Sequence, residues 1–457
     1  MKKLKITVYV LLIITMFFSA CNAEPAPEKA NYNGTSDGYV YWYEEGRNRD
    51  WEKTVLEFAN TFLTKHPKVA DKETKITTDL LTDEYVFTKE YFDPALQEDF
   101  IESVNILIPK IGELEDSEII FELSGIVALL KDAHSQVFGD YGRYYPINLE
   151  AIYTGENVEY YAVRVPVENE ELVFSKLKSI NGVAIEEIAA MAENYISAEN
   201  SYDLNTRLEE YYSDENFLKN LKIVEKESDT AEFVFIKDDG TEVSCVFEAL
   251  ELEDYYAVEM TYTHLRQQDL LIYKNSLNFW YEFIDDETLY IRIQAFDASD
   301  FSSLLKTVTE LNKAVTPESA VSKTIVDIRD NSGGQKVPGY NEFVEMLNKD
   351  EFGDVYALIN DSCFSMAVVM PSILKQHVDD IVLVGCPTGE PPNLFGVING
   401  VSEFSGSGVY FQMGEYAVNS WPDYEYDALM PDITIYQTIE DYKNGIDTVL
   451  EAVLAME

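Results

Sequence analysis

Apolar residues change their spacing twice along the chain, dividing it into three grammars. From Trp51 to about Gly139 they recur at helical intervals. Leu56, Phe58, Ala59, Phe62 and Leu63 form one such set, and Val104, Leu107, Ile108 and Ile111 a second. Ile119, Leu123, Ile126, Leu129 and Leu130 form a third, which runs into Lys131-Asp132-Ala133-His134-Ser135-Gln136-Val137, where the period shortens towards a strand. Between 147 and 250 short alternating runs, such as Tyr160 to Val165 and Glu232 to Ile236, lie between Gly and Asp turns. There Leu177 to Ile185 reads as two strands joined at Asn181-Gly182, with a helix from Glu186, and Asp238-Asp239-Gly240 is a second hairpin signal. From about 285 strand and helix alternate: strands over 289–296, 324–329, 355–360 and 381–385, helices over 301–315, 340–348 and 365–377. That alternation predicts βαβ units and a largely parallel sheet. No internal repeat is present.

With 457 residues, 46% hydrophobic and 26% charged, the chain has a globular composition and length for several domains. Lys and Arg number 34 against 83 acids, a formal charge of −49. Such a surface repels phosphate backbones, so nucleic acid is excluded as an expected partner. It also repels anionic lipid, so membrane attachment would have to be covalent or inserted.

Residues 1–20 read as an export signal. Lys2, Lys3 and Lys5 precede an apolar run from Ile6 to Phe18, shorter than the ~18–20 residues that span a bilayer. The run ends in Phe18-Ser19-Ala20-Cys21, which resembles the lipobox of bacterial lipoproteins with Phe in place of the usual Leu. The resemblance implies cleavage before Cys21, lipid on its sulfur and a place on the outer face of the cell membrane. Residues 21–44 then form the lipidated cysteine and a tether. Cys245, Cys363 and Cys386 remain; the last two fall near neighbouring strand ends, where a disulfide competes with the favoured reading of buried free thiols. No cysteine pair has zinc-like spacing and the four His are scattered, so neither metal nor other cofactor is expected.

Three short elements could carry chemistry. Ser365 follows a strand and opens a helix, where positive potential and unpaired N–H groups suit an attacking hydroxyl, although alone it reads as an ordinary N-cap. Val326-Asp327-Ile328-Arg329-Asp330-Asn331-Ser332-Gly333-Gly334 carries a strand into a Gly-Gly turn that could bring a backbone N–H to a substrate, or simply turn the chain. His134 stands after a helix in a polar run. A serine nucleophile needs a base, and His377 and Lys375 lie ~18 Å and ~15 Å along the helix from Ser365, out of reach.

In their order these elements resemble the S41 peptidases, the tail-specific or C-terminal-processing proteases and their tricorn-like relatives. The matching stretches are Leu130 to Ser135, the PDZ-like Leu177 to Ile185, Leu289 to Phe296, Val326 to Gly334, Phe364-Ser365-Met366-Ala367 and Val384 to Glu390. Processing proteases with a Ser–Lys dyad carry Lys about 25 residues after the serine, whereas here Thr388-Gly389-Glu390-Pro391 has none. The tricorn-like branch uses the His of an Asp-x-His motif, matched by His134, and a Glu before Pro-Asp, matched by Glu425 ahead of Pro431-Asp432. Ala133 stands where that branch has Ser.

The resemblance implies an α/β, multidomain α+β chain: a helical region over 45–146 contributing the His, a PDZ-like β-rich domain over 147–250 with a helical insertion, and a ClpP/crotonase-like βαβ protease core over 251–457. It implies a serine-type endopeptidase with Ser365 as nucleophile, His134 as base and Glu425 orienting the imidazole. Met366 with Gly334, in preference to Gly333, would supply the oxyanion N–H groups, and the substrate would be a peptide or protein. Lys336, beside the Gly-Gly turn, is the fallback base. The alternative is a catalytically inactive, peptide-binding lipoprotein of the same fold.

Overall fold

The computed structural model describes residues 50–139, 142–155, 157–261, 270–297 and 303–456. Cys21, the export signal and the tether to residue 44 lie outside the described residues.

The C-terminal third is built on a six-stranded sheet in the order Phe279–Phe283, Thr288–Ile293, Lys323–Asp327, Asp354–Ile359, Val382–Gly385, Ile433–Thr434. The first pair is antiparallel and every later pair parallel, as the strand–helix alternation predicts. All six residues of Thr288–Ile293 are buried because both faces are covered. Leu289, Ile291 and Ile293 point to a cluster shared with the helices Leu304–Ala314, Tyr340–Leu347 and Met366–His377. Tyr290, Ile325, Tyr356 and Leu358 point the other way, onto Val449, Leu450 and Val453 of the helix Thr448–Leu454. On that face Arg329 bonds both Asp327, at 2.6 and 3.0 Å, and Asp447, at 2.6 and 2.8 Å, which fixes the strand end from which the Gly-Gly turn departs.

The middle region is an antiparallel sheet with its own hydrophobic cluster. Asn181 (φ +47°) and Gly182 (φ +79°) form the two-residue turn expected between Lys176–Ile180 and Val183–Ala184. Three helices, Ile185–Ala192, Ser201–Tyr211 and Glu215–Asn220, are inserted before the next strand, Thr230–Ile236.

The N-terminal region departs from its helical expectation. Between helices Trp51–Lys65 and Pro94–Leu107 lies a β-hairpin, Thr74–Asp79 with Glu84–Thr88. It is stabilised by a sequence-distant partner: Thr74–Asp79 runs parallel to Tyr416–Asn419, with Ile76 opposite Ala417. A second graft pairs Gln136–Phe138 with Tyr410–Gln412, and Phe404, Val409 and Met413 complete the core of the N-terminal helices. Residues 393–419 thus belong structurally as much to the N-terminal helices as to the C-terminal sheet. These two grafts carry the His134 loop to the far end of the chain.

Candidate active site

Three loops leave the carboxyl ends of adjacent parallel strands and converge, the usual location for a site in an open α/β sheet. The loop after Asp354–Ile359 carries Ser365 at φ +56°, ψ −123°. A side chain other than glycine held there costs about 1–3 kcal/mol, so its surroundings must impose it. The Ser365 N–H donates to Glu390 Oε2 at 2.6 Å, and the Ser365 carbonyl accepts from Val368 and Val369 N–H. The turn thereby lifts the hydroxyl to the mouth of the buried helix Met366–His377, the geometry of a nucleophile elbow.

The loop after Lys323–Asp327 lies against this turn. A Cβ on Gly333 (φ +93°) would stand 2.6 Å from Ser365 Cβ, so only glycine admits the approach. The Gly333 N–H is spent on Asn331 Oδ1 at 2.8 Å. The N–H groups of Gly334 and Met366 meet no protein acceptor among the described residues. This separates the two candidate oxyanion glycines: Gly333 is a contact surface, and Gly334 keeps a free donor.

His134 is buried, its imidazole centroid 4.5 Å from the Phe364 ring, against the residue that precedes Ser365. Its Nδ1 lies 2.9 Å from Glu390 Oε1, yet neither atom meets hydrogen-bond geometry with any partner among the described residues. Glu390 therefore touches both candidate residues, one oxygen on the Ser365 amide and the other on the imidazole. No hydrogen bond joins Ser365 Oγ to His134 in this resting arrangement; such bonds are often long before substrate arrives.

The electrostatics follow from burial. Burial pushes His134 below its ordinary value, which favours the neutral imidazole, while Asp132, Glu199 and Asp203 pull it up and Arg207 pushes it down. Burial drives Glu390 well above the carboxylate range against the Ser365 amide, with Asp203 and Asp132 adding to the rise. Glu199 is half-buried overall, but its Oε2 is shielded and unpartnered, and burial with Glu390 raises it as well. No group of three or more metal-ligating side chains occurs among the described residues.

Compared as a sequence, the chain matches no family model and no curated protein. Its fold matches mature CPAF with a TM-score of 0.56 at 13% identity, over 86% of this chain and 94% of that one. Mature CPAF complexed with lactacystin matches with a TM-score of 0.55 at 12% identity, over 86% and 96%. The fold is that of an S41 peptidase.

On this S41 fold the expected site residues divide. Ser365, His134, Met366 and Gly334 come together. Glu425 does not: it is exposed in the loop after Trp421, and the acid against His134 is Glu390. The expectation that Glu425 orients the base is corrected accordingly, because a solvated carboxylate cannot meet a buried imidazole. Lys336 is engaged elsewhere, by the Leu80 carbonyl and Asp83. Ser135 faces Asp132 and the Gly414 amide rather than standing in for the serine missing at Ala133. Cys363 and Cys386 are both buried free thiols.

Glu390 was legible by position alone, since it stands 25 residues after Ser365, where the dyad enzymes have Lys. Nothing local marked His66, whose Nε2 lies 2.9 Å from Asp132 Oδ2.

Proposed function

We propose that the chain is a serine-type endopeptidase working through an acyl-enzyme on Ser365. The carrying observation is the strained Ser365 turn, held by the same carboxylate, Glu390, that abuts the His134 imidazole. His134 Nε2 takes the hydroxyl proton as Oγ bonds the peptide carbonyl carbon, and the carbonyl π pair moves onto oxygen. The Gly334 and Met366 N–H groups receive that oxyanion. Collapse expels the amine, which leaves with the proton from His134, and a water attacking with the same base frees Ser365. Glu390 replaces Glu425 as the acid that orients the imidazolium.

The substrate is a peptide or protein, and the basic, apolar and Ser-Ala-Cys sequence at the N-terminus supports lipid anchoring at Cys21 on the outer face of the cell membrane. The test of the chemistry is labelling with a fluorophosphonate. Wild type should label, while Ser365→Ala and His134→Ala should not. A folded wild type that stays unlabelled would reject the peptidase reading in favour of a peptide-binding lipoprotein. Metabolic incorporation of an alkynyl fatty acid, abolished in Cys21→Ala, tests the anchor; equal incorporation without the cysteine would reject it.

A further inference from the structure

The helical insertion of the middle region reaches three segments of the site: the His134 segment, the Glu390 loop and the loop that carries Ser365. Ser197 Oγ donates to the Asp132 carbonyl at 2.8 Å, and Arg207 Nη2 to the Ala133 carbonyl at 3.2 Å, so both hold the peptide that carries His134. The Arg207 guanidinium also lies 5.7 Å over the Phe364 ring, which packs against the His134 imidazole as well. Asn200 Nδ2 donates to the Thr388 carbonyl at 3.0 Å and the Asp427 carbonyl at 2.8 Å, gripping the loop that carries Glu390. Thr206 Oγ1 donates to Asp361 ahead of the nucleophile turn.

Arg207 is fixed for this task. Its Nε meets both Asp203 oxygens, at 2.8 and 2.9 Å, one turn earlier on the helix Ser201–Tyr211. The Asp203 N–H in turn donates to Asn200 Oδ1 at 2.9 Å, so the contact to the Glu390 loop and the contact to the His134 loop are braced against each other. A helix that served only to fill the middle domain would have no need of a partly buried guanidinium directed out of that domain.

We propose that Arg207 is a positioning residue for His134, and that the helix Ser201–Tyr211 is the clamp holding the base, the nucleophile turn and the Glu390 loop in mutual register. This rests on the reading of His134 as the base. The groups that act on the imidazole are Asp132 from its own loop, Glu390 from the neighbouring loop, and Glu199, Asp203 and Arg207 from the insertion. Among them Arg207 is the cation, and the planar fork that spans a carbonyl and a ring face is a geometry Lys lacks.

The test follows the His134 imidazole by NMR titration in the full folded chain. The sequence holds four His, and the resonance missing from His134→Gln identifies the right one. Arg207→Gln should raise the His134 titration midpoint by about half a unit or more, as expected when a nearby cation is removed. It should slow fluorophosphonate labelling by about 10²-fold, the order of loss expected from a misplaced base. Arg207→Lys should restore the midpoint but recover the labelling rate only in part. An unmoved midpoint in folded Arg207→Gln would overturn the proposal, as would full recovery of the rate by Lys. If Arg207→Gln does not fold, Arg207→Lys decides alone: a wild-type labelling rate overturns the proposal and a reduced rate at a wild-type midpoint supports it. If wild type itself never labels, the peptidase reading falls, and the NMR midpoint still decides the placement of Arg207.

Discussion

Two buried histidine–carboxylate pairs stand next to each other in this molecule, each at 2.9 Å, and they are opposites. In the His66–Asp132 pair every polar atom has a use. The Lys68 N–H donates to His66 Nδ1, which puts the proton on Nε2 and directs it to Asp132 Oδ2. Asp132 also accepts from the Ser135 hydroxyl and the His134 N–H. Burial alone would raise Asp132, but His66, His134 and Ser135 together hold it well below the usual carboxylate range. In the His134–Glu390 pair the facing atoms are unbonded, and burial lifts the acid instead. The first pair has the properties of a structural rivet. The second is left incomplete, which stability does not favour. On the proposed reading the Nδ1 contact orients the ring, while a base needs the lone pair of its other nitrogen, Nε2, left open to take a proton.

The comparison can be broken most directly at its working end. Ser365→Ala and His134→Ala should each cost on the order of 10⁶-fold in kcat, because nucleophile and base act as a unit. Peptide turnover surviving in either variant would remove that residue from the site. Glu390→Gln should cost about 10³–10⁴-fold, the loss expected when a base loses the carboxyl group that orients it and stabilises its charged form. Because Glu390 is raised in the folded protein, its ionisation opposes folding as pH rises past 4.5. Glu390→Gln should therefore melt no lower than wild type at pH 7, with the difference closing as pH falls to 4.5. A clear drop in melting temperature would make this pair structural too.

Asp132→Asn should behave in the reverse way, losing about 3–5 kcal/mol of stability by leaving a buried network short of its anion. Asp132 is depressed in the folded state, so its contribution is present above pH 3.8 and lost as pH falls below that value. Urea midpoints measured across that range check the sign. For the pH profile of kcat/KM, burial of His134 places the acid limb below pH 6.5, with His134 and Glu390 titrating as one coupled pair. A limb centred above 6.5 would mean that the neighbouring acids outweigh burial. Glu425→Gln should have the smallest effect, within about twofold in rate, as for other exposed side chains.

The alternating strands and helices after residue 285 were legible because each unit buries both sheet faces and must therefore follow a strict period. The Asn181-Gly182 turn was legible because few residue pairs adopt its dihedrals. The hairpin over Thr74–Thr88 was not, because its parallel partner, Tyr416–Asn419, lies more than three hundred residues away and no local pattern encodes it. Ser365, His134 and the Gly-Gly turn were legible as motifs in order. The acid was misassigned because position relative to Pro431-Asp432 says nothing about burial, whereas Glu390 sits in a strand-end loop that the sheet carries inward. Arg207 gave no signal at all. On a helix of mixed charge it looks like a surface residue until the fold brings Ala133 and Phe364 against it.

The grafting of residues 393–419 onto the N-terminal helices also has a meaning in time. A chain made from its N-terminus exposes His134 long before the strands that seat its loop exist. The insertion over 185–220 can grip the His134 peptide early, but the strand after it, Gln136–Phe138, stays unpaired until Tyr410–Gln412 has emerged. Such long-range pairings form late and slowly. Fragments that stop short of residue 410 carry Ser365 and His134 but lack the strands that seat the N-terminal helices against the C-terminal region, so the arrangement is completed only near the end of synthesis.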